Sequence, residues 1–582
     1  MNNPGRLRSS LLPFFASLLV YVGLAFLAFS AAWHDPQHST IGVPGDPSQT
    51  LWLLGWPSYA LTHGLNPFYS TYMHSQTGIN LMWTPTTYLP ALLVTPIYLT
   101  LGPPVAFNLL FTLSLAFSAW AAYLAISRLV ASRLAAFVGG LLYGFSPYMF
   151  AVAAGHLHMA MAWMPPLTLL LFHEMLFRRR WPLPVTGILL GILCGIQFYT
   201  AVEILFTTAM FSFIALIVLA VMAVRRYPDH LHSGFDRLLK GGSLATAVGL
   251  LIALPGIIMM YWGPDAVLGN LQPYDVYVTD LASLVLPGPL LYFAPQPLVT
   301  LARNFTGWPG EWTGYVGLPL LLLLGWIVYH WRKLPLVVWS AVVGVVILVL
   351  SLGPHLHVLG HATRIVLPWR VVDRIQAFEH TLPSRLMLYF FFLAAILVAV
   401  LVNGLRSEIR RPLLRFGLAV WLGVSFLVIL LAYPWLVSAA PVPSFFTDGS
   451  AKQISQSSVA LLVPYVNSSN PQGLYWQAAS GYQFRMPEGY GAHPTTGLIF
   501  DPAPSATQHS LGLIDGGKGI PSQTPKLKHE ISCELTSWQV HTVISGPQVK
   551  PDANGRFPNL AIGTPSARHW RSSGMVAGQT YL

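Results

Sequence analysis

From Trp181 to Val224 the chain runs for 44 residues with Glu203 as its only charged side chain. A straight helix of that length, rising about 1.5 Å per residue, is about twice as long as a bilayer core is thick. The segment must therefore cross, turn and cross back, and the polar cluster Gln197, Thr200 and Glu203 marks the turn. Similar apolar runs recur along the sequence. Charged residues make up only 9% of it, against about a quarter in an ordinary soluble domain. With so little charge to coat a water-facing surface, lipid must cover the chain instead.

The first run, Leu11 to Ala31, follows Arg6 and Arg8. It is longer than the apolar core of a signal peptide, about 7–15 residues, and shows no small-x-small cleavage site, so it reads as an uncleaved span. Further spans are expected near 105–126, 134–153, 159–176, 183–200, 203–224, 241–262, 313–331, 335–352, 385–403 and 416–436. Tyr88 to Leu101, with Pro90 and Pro96, is short for a crossing and suits an interfacial or re-entrant helix.

With the N-terminus inside, every inner loop is basic: Arg128 and Arg133; Arg178 to Arg180; Arg225, Arg226, Arg237 and Lys240; Arg332 and Lys333; Arg406, Arg410, Arg411 and Arg415. The short outer loops are not. This follows the positive-inside bias and explains the net charge of +11 without nucleic acid as a partner. Cys194 and Cys533 form neither a disulfide framework nor a metal-ligand spacing.

The fold class expected is an all-α polytopic membrane protein of about eleven spans, over residues 1–436. Its large outer loops are 32–104, 263–312 and 353–384. Residues 437–582 turn polar and rich in Gly and Pro, with β-like runs at Ser458 to Val463 and Val540 to Ile544. They read as a small extracytoplasmic domain of mixed or β character, disordered at its end. The location expected is a bacterial cytoplasmic (inner) membrane, N-terminus inside and tail outside.

No expected span carries an acid or base near its middle, which argues against an ion-coupled transporter. The chemistry gathers at the outer ends. Asp46, in Val43-Pro-Gly-Asp-Pro-Ser-Gln-Thr50, precedes an aromatic-rich helical segment. Pro47 suits a first helical position, which makes Asp46 an N-cap candidate. The same carboxylate at a water–lipid boundary can act as a general base, and the two roles are compatible. His63 and His74 lie in the first outer region, His156 and His158 in Gly155-His-Leu-His158, and Glu203 at an outer helix end. These can orient an acceptor or bind a divalent metal, although interfacial histidines more often only hydrogen-bond locally. Arg303, Arg364, Arg370, Arg374 and Arg385 are outer cations against the prevailing bias. Arg385, in Leu382-Pro-Ser-Arg385, is the preferred phosphate contact because a guanidinium matches phosphate with a planar fork.

The sequence resembles the GT-C superfamily of membrane glycosyltransferases, and within it a bacterial YfhO-like group. The likeness rests on Gly45-Asp46-Pro47, Asn66-Pro67-Phe68, Ser146-Pro147-Tyr148, Gly155-His156-Leu157-His158, Ser351-Leu-Gly-Pro354, Leu382-Pro-Ser-Arg385 and Tyr475-Trp-Gln-Ala with Gly481-Tyr-Gln-Phe-Arg485. It implies a polyprenyl-phosphate-sugar donor reached through membrane lipid and a cell-envelope acceptor. Asp46 stands at the position of the family's catalytic acid in the first outer loop, with Asp35 as the fallback. The reaction implied is inverting transfer, with Arg385 on the departing phosphate and Glu203, His156 and His158 lining the pocket. Family members often carry paired acids here, whereas Pro47 follows Asp46. No cofactor is required by the sequence, and a divalent metal stays open. The alternative is a non-catalytic protein of the same architecture, a lipid-carrier flippase or an envelope assembly scaffold.

Overall fold

The computed structural model describes residues 4–85, 87–226, 228–267, 275–375, 378, 381–492, 505–515 and 518–546. The end of the tail, expected to be disordered, lies outside the described residues. Helices dominate. Among the described residues six are long and apolar enough to cross a membrane: Pro103–Ile126, Arg133–Val152, Leu157–Arg178, Val202–Val224, Leu231–Trp262 and Pro383–Ser407. Shorter apolar helices occupy Pro13–Ala28, Tyr88–Leu101, Leu183–Phe198, Leu318–His330, Pro335–Ser351 and Pro412–Val428.

The long apolar run folds back as its length demands. One helix ends at Phe198 and the next starts at Val202. Thr200 bonds back to the Ile196 carbonyl at 2.8 Å and Gln197 donates to the Ala201 carbonyl at 3.3 Å, so the polar residues satisfy the backbone that the break exposes.

The chain divides into two compact units. One comprises Met1–His34, Leu109–Pro255 and Gln272–Leu436. At its centre the helix Met387–Ser407 is buried on nearly every side, which is why its sequence is apolar all round rather than striped. Small residues set the helix spacing elsewhere in this unit. Gly187, Gly191 and Gly195 recur every fourth residue, so they share one face of the helix Leu183–Phe198. A Cβ added at Gly191 would lie 2.6 Å from the Ala245 carbonyl oxygen, and one at Gly187 2.9 Å from that of Gly241. This is the small-residue contact by which membrane helices approach backbone to backbone. Gly191→Leu is expected to cost about 2 kcal/mol through overpacking. Thermal unfolding of the detergent-solubilised chain reads it, and an unchanged melting temperature would show that the two helices can part without penalty.

The second unit comprises Asp35–Asn108, Gly256–Leu271 and Val437–Leu582. The tail, expected as a domain of its own, thus shares a unit with the first outer region. The physical reason is pairing and burial. Strand Ser39–Ile41 pairs antiparallel with Val437–Ala439. The helix Asp46–Thr62 presents Trp52 and Trp56, stacked 5.0 Å apart, to Tyr482, and the Tyr482 hydroxyl donates to the Trp52 carbonyl at 2.7 Å. Gln477 accepts from Trp52 Nε1 at 2.6 Å and donates to the carbonyls of Tyr72 and Phe484, both at 2.8 Å. A side chain that spends donor and acceptor on three chain segments locks their register. The tail's two β-like runs become strands Val459–Val463 and Val540–Ser545, paired in parallel. A parallel pair needs a long connection, and helices Gln472–Ala479, Ala506–Asp515 and Pro525–Ser537 fall within it. The helix Tyr88–Leu101 buries Tyr88, Val94 and Tyr98 and exposes Leu92, Leu93, Leu99 and Leu101.

Candidate active site

Asp46 is the first residue of the helix Asp46–Thr62, with Pro47 in its first turn. Gly45 is the cap residue at φ 127°, a backbone that favours glycine. The expected N-cap role of Asp46 is therefore corrected by one position: the sharp turn falls on the glycine, and no side chain caps the helix. The half-buried carboxylate lies at the positive end of the helix dipole. Its Oδ1 accepts from the Tyr490 hydroxyl at 2.9 Å. One turn further on, Gln49 Nε2 donates to the Tyr490 carbonyl at 2.7 Å. Tyr490 is thus gripped at both ends, and it fixes the direction in which the Asp46 lone pairs point.

A second cluster belongs to the other unit. Glu203 lies in the first turn of the helix Val202–Arg226, Arg385 in the 3-10 turn Pro383–Leu386, and Glu311 at the end of the turn Pro309–Glu311. Arg385 donates through Nη1 to Glu203 and through Nη2 and Nε to Glu311, the last at 3.2 Å. The side chains are only 11%, 17% and 3% exposed for Arg385, Glu203 and Glu311. Leu382 N donates to Glu203 at 3.4 Å, and Thr313 Oγ1 donates to the Ser384 carbonyl at 2.6 Å, so the two turns are tied together beside the ion pairs. His156 Nδ1 lies 3.4 Å from Glu311, and its ring packs edge-on against Trp308 and His158.

Arg385 is the residue expected to contact phosphate. Its fork is filled by two carboxylates. Two acids and one guanidinium, with His156 beside Glu311, make a self-paired cluster in this structure.

Neither a family model nor a curated protein matches the sequence. Among solved structures the chain is similar to the archaeal oligosaccharyltransferase AglB from Archaeoglobus fulgidus in complex with an inhibitory peptide and a dolichol-phosphate. That match has 11% identity, covers 91% of this chain and 69% of that one, and has a TM-score of 0.49. The A. fulgidus oligosaccharyltransferase in complex with Zn and sulfate matches at 10% identity, 91% and 67% coverage and the same TM-score, 0.49. The same organism's enzyme tethered to an acceptor peptide matches at 11%, 91%, 69% and 0.49. At this distance no residue role is carried across.

Of the residues singled out in the sequence, Glu203, Arg385, His156 and His158 come together. Asp35 and His63 are spent locally. Asp35 and His38 pair at 2.8 Å, both exposed. His63 follows the last turn of the Asp46–Thr62 helix, where its Nδ1 meets the Tyr59 carbonyl at 2.9 Å and its ring stacks on Tyr59. Arg303 is exposed at the C-terminal end of the helix Gln296–Ala302 and makes no ion pair among the described residues. Among the described residues no group of three or more His, Cys, Asp or Glu is arranged to hold a metal ion.

Two site residues were missed. Glu311 carries no periodic signal, yet it is one of only 20 acids in the chain and stands in Trp308-Pro-Gly-Glu-Trp312; scarcity alone would have flagged it. Tyr490 had no signal, since its partner lies 444 positions away.

Proposed function

We propose that the chain is a membrane glycosyltransferase that moves a sugar from a polyprenyl-phosphate carrier to an acceptor hydroxyl on the outer face of a bacterial cytoplasmic membrane. The observation that carries this reading is the Asp46 carboxylate, held at a helix N-terminus by Tyr490. It adds to the sequence resemblance, which puts the catalytic acid at this position. Asp46 takes the proton of the acceptor hydroxyl as that oxygen attacks the anomeric carbon. The bond from that carbon to the phosphate oxygen breaks, its electron pair leaves with the polyprenyl phosphate, and attack from the opposite face inverts the centre.

The Glu203–Arg385–Glu311 cluster with His156 shapes the membrane unit rather than binding the carrier. The non-catalytic alternative draws on the same filled fork, because an anion site there would have favoured an enzyme.

The test is turnover by the purified chain of a panel of polyprenyl-phosphate sugars, with the product's anomeric configuration read by NMR. Release with inversion is expected. Release with retention would remove Asp46 as a simple base. The Tyr490 hydroxyl donates to Asp46 at 2.9 Å, so Tyr490→Phe is expected to lower kcat about tenfold, the value of one charge-assisted hydrogen bond. An unchanged kcat would mean that the bond is absent in the working state.

A further inference from the structure

Four residues of the tail run from Arg485 to Glu488 and place Tyr490 on Asp46. On one side Arg485 N donates to the Ser458 carbonyl at 2.8 Å, and Ala460 N donates to the Arg485 carbonyl at 2.8 Å. On the other side Met486 N donates to the Tyr72 carbonyl at 3.0 Å, and Ser75 N and His74 N donate to the carbonyls of Met486 and Glu488 at 2.9 and 3.1 Å. The segment is therefore an inserted ribbon between the strand Val459–Val463 and the loop 72–75. Its last anchor is a side chain. Glu488 is fully buried, its Oε1 accepts from Leu462 N at 2.5 Å, and its Oε2 is enclosed with no hydrogen-bond partner among the described residues. Gly489 follows, packed so closely on His74 that a Cβ would lie 2.8 Å from the ring, and then Tyr490.

We infer that Glu488 is a positioning residue of the site: its side chain on Leu462 and its backbone on His74 fix the ribbon so that Tyr490 reaches Asp46. This rests on the glycosyltransferase reading only for its catalytic consequence. A carboxyl with one oxygen on an amide and the other facing nothing fits its place as a neutral acid, because ionised it would be a buried anion without a cation. Burial accordingly pushes its carboxyl up to about 8. The titratable groups around it are Tyr465, whose proton is held by burial beside Glu488, with His74 across the ribbon and Arg485 on it. None of them forms an ion pair with Glu488 among the described residues.

The sign follows from the shift. The folded chain keeps a proton that the unfolded chain has lost, so stability falls as pH rises from the ordinary carboxylate range to about 8, and levels off above it. Ionisation near pH 8 also loosens the ribbon.

The experiment compares the full wild-type chain with Glu488→Gln and Glu488→Ala in detergent and in proteoliposomes. Between pH 6 and 9 the wild type should lose about 5 °C in melting temperature. At pH 9 trypsin should cut it after Arg485 about tenfold faster than Glu488→Gln, an uncharged side chain that still accepts from Leu462. Glu488→Gln should melt alike at both pH values, and Glu488→Ala should be cut at both. With a donor that turns over, kcat of the wild type should fall above pH 8 while that of Glu488→Gln holds. Equal pH dependence of melting and cutting in wild type and Glu488→Gln overturns the inference. If melting and cutting behave as stated but no donor turns over, the ribbon's anchor stands and the glycosyltransferase reading fails.

Discussion

Arg385→Met is expected to cost about 3–5 kcal/mol and to leave little folded protein. The substitution keeps the bulk of the side chain but removes the guanidinium that bridges Glu203 and Glu311, whose side chains are 17% and 3% exposed. Two carboxylates then face each other out of water, each without its charge-assisted donors. The control is the triple variant Glu203→Gln, Glu311→Gln, Arg385→Met. Replacing a whole buried ion cluster by uncharged groups of similar volume is often close to neutral, so the triple variant should recover most of the melting temperature. Monodispersity on size exclusion and thermal unfolding in detergent read both. If Arg385→Met melts like the wild type, the cluster is not holding the outer helix ends together, and its arginine is open to another role.

Asp46→Asn is expected to lower turnover by about 10²–10⁴-fold, the range contributed by a positioned general base, without loss of folding. The amide is nearly isosteric, and its oxygen can still accept from Tyr490 at the 2.9 Å position. The helix loses no cap, because Gly45 fills that position and no side chain caps the helix. What disappears is the ability to take a proton. Asp35→Asn should leave turnover unchanged, since Asp35 is exposed and its carboxylate is engaged by His38. A large loss in Asp35→Asn with none in Asp46→Asn would move the base to the fallback position.

The membrane helices were legible because the bilayer imposes one simple requirement, a long apolar run with charge at one end. Tryptophan-to-valine stretches such as 181–224 could fold in few other ways, and the break at 199–201 follows from length alone. The second unit was less legible. It is built from pieces 35–108, 256–271 and 437–582, joined by pairings such as Thr40 with Ser438 that no local periodicity encodes. The tail therefore read as a separate domain, when its residue Gln477 bridges segments of the first outer region.

The site was half legible for a similar reason. Glu203, Arg385, His156 and His158 stood out because charge is scarce near the spans. Their roles did not follow, because an arginine beside one acid and an arginine between two look alike until Glu311 is placed. Asp46 was singled out by its loop position, but its contact with Tyr490 had no local signal. Glu488 illustrates the limit from the other side: in sequence it is an ordinary acid in Met-Pro-Glu-Gly, and only its enclosure sets it apart.

The most direct test of the central claim is sugar release from polyprenyl-phosphate-sugar donors in proteoliposomes holding equal amounts of folded wild type and Asp46→Asn. Release by the wild type should fall at least a hundredfold in the variant. Equal release by both would contradict Asp46 as the base, and no release by either from any donor would make the non-catalytic reading the leading one.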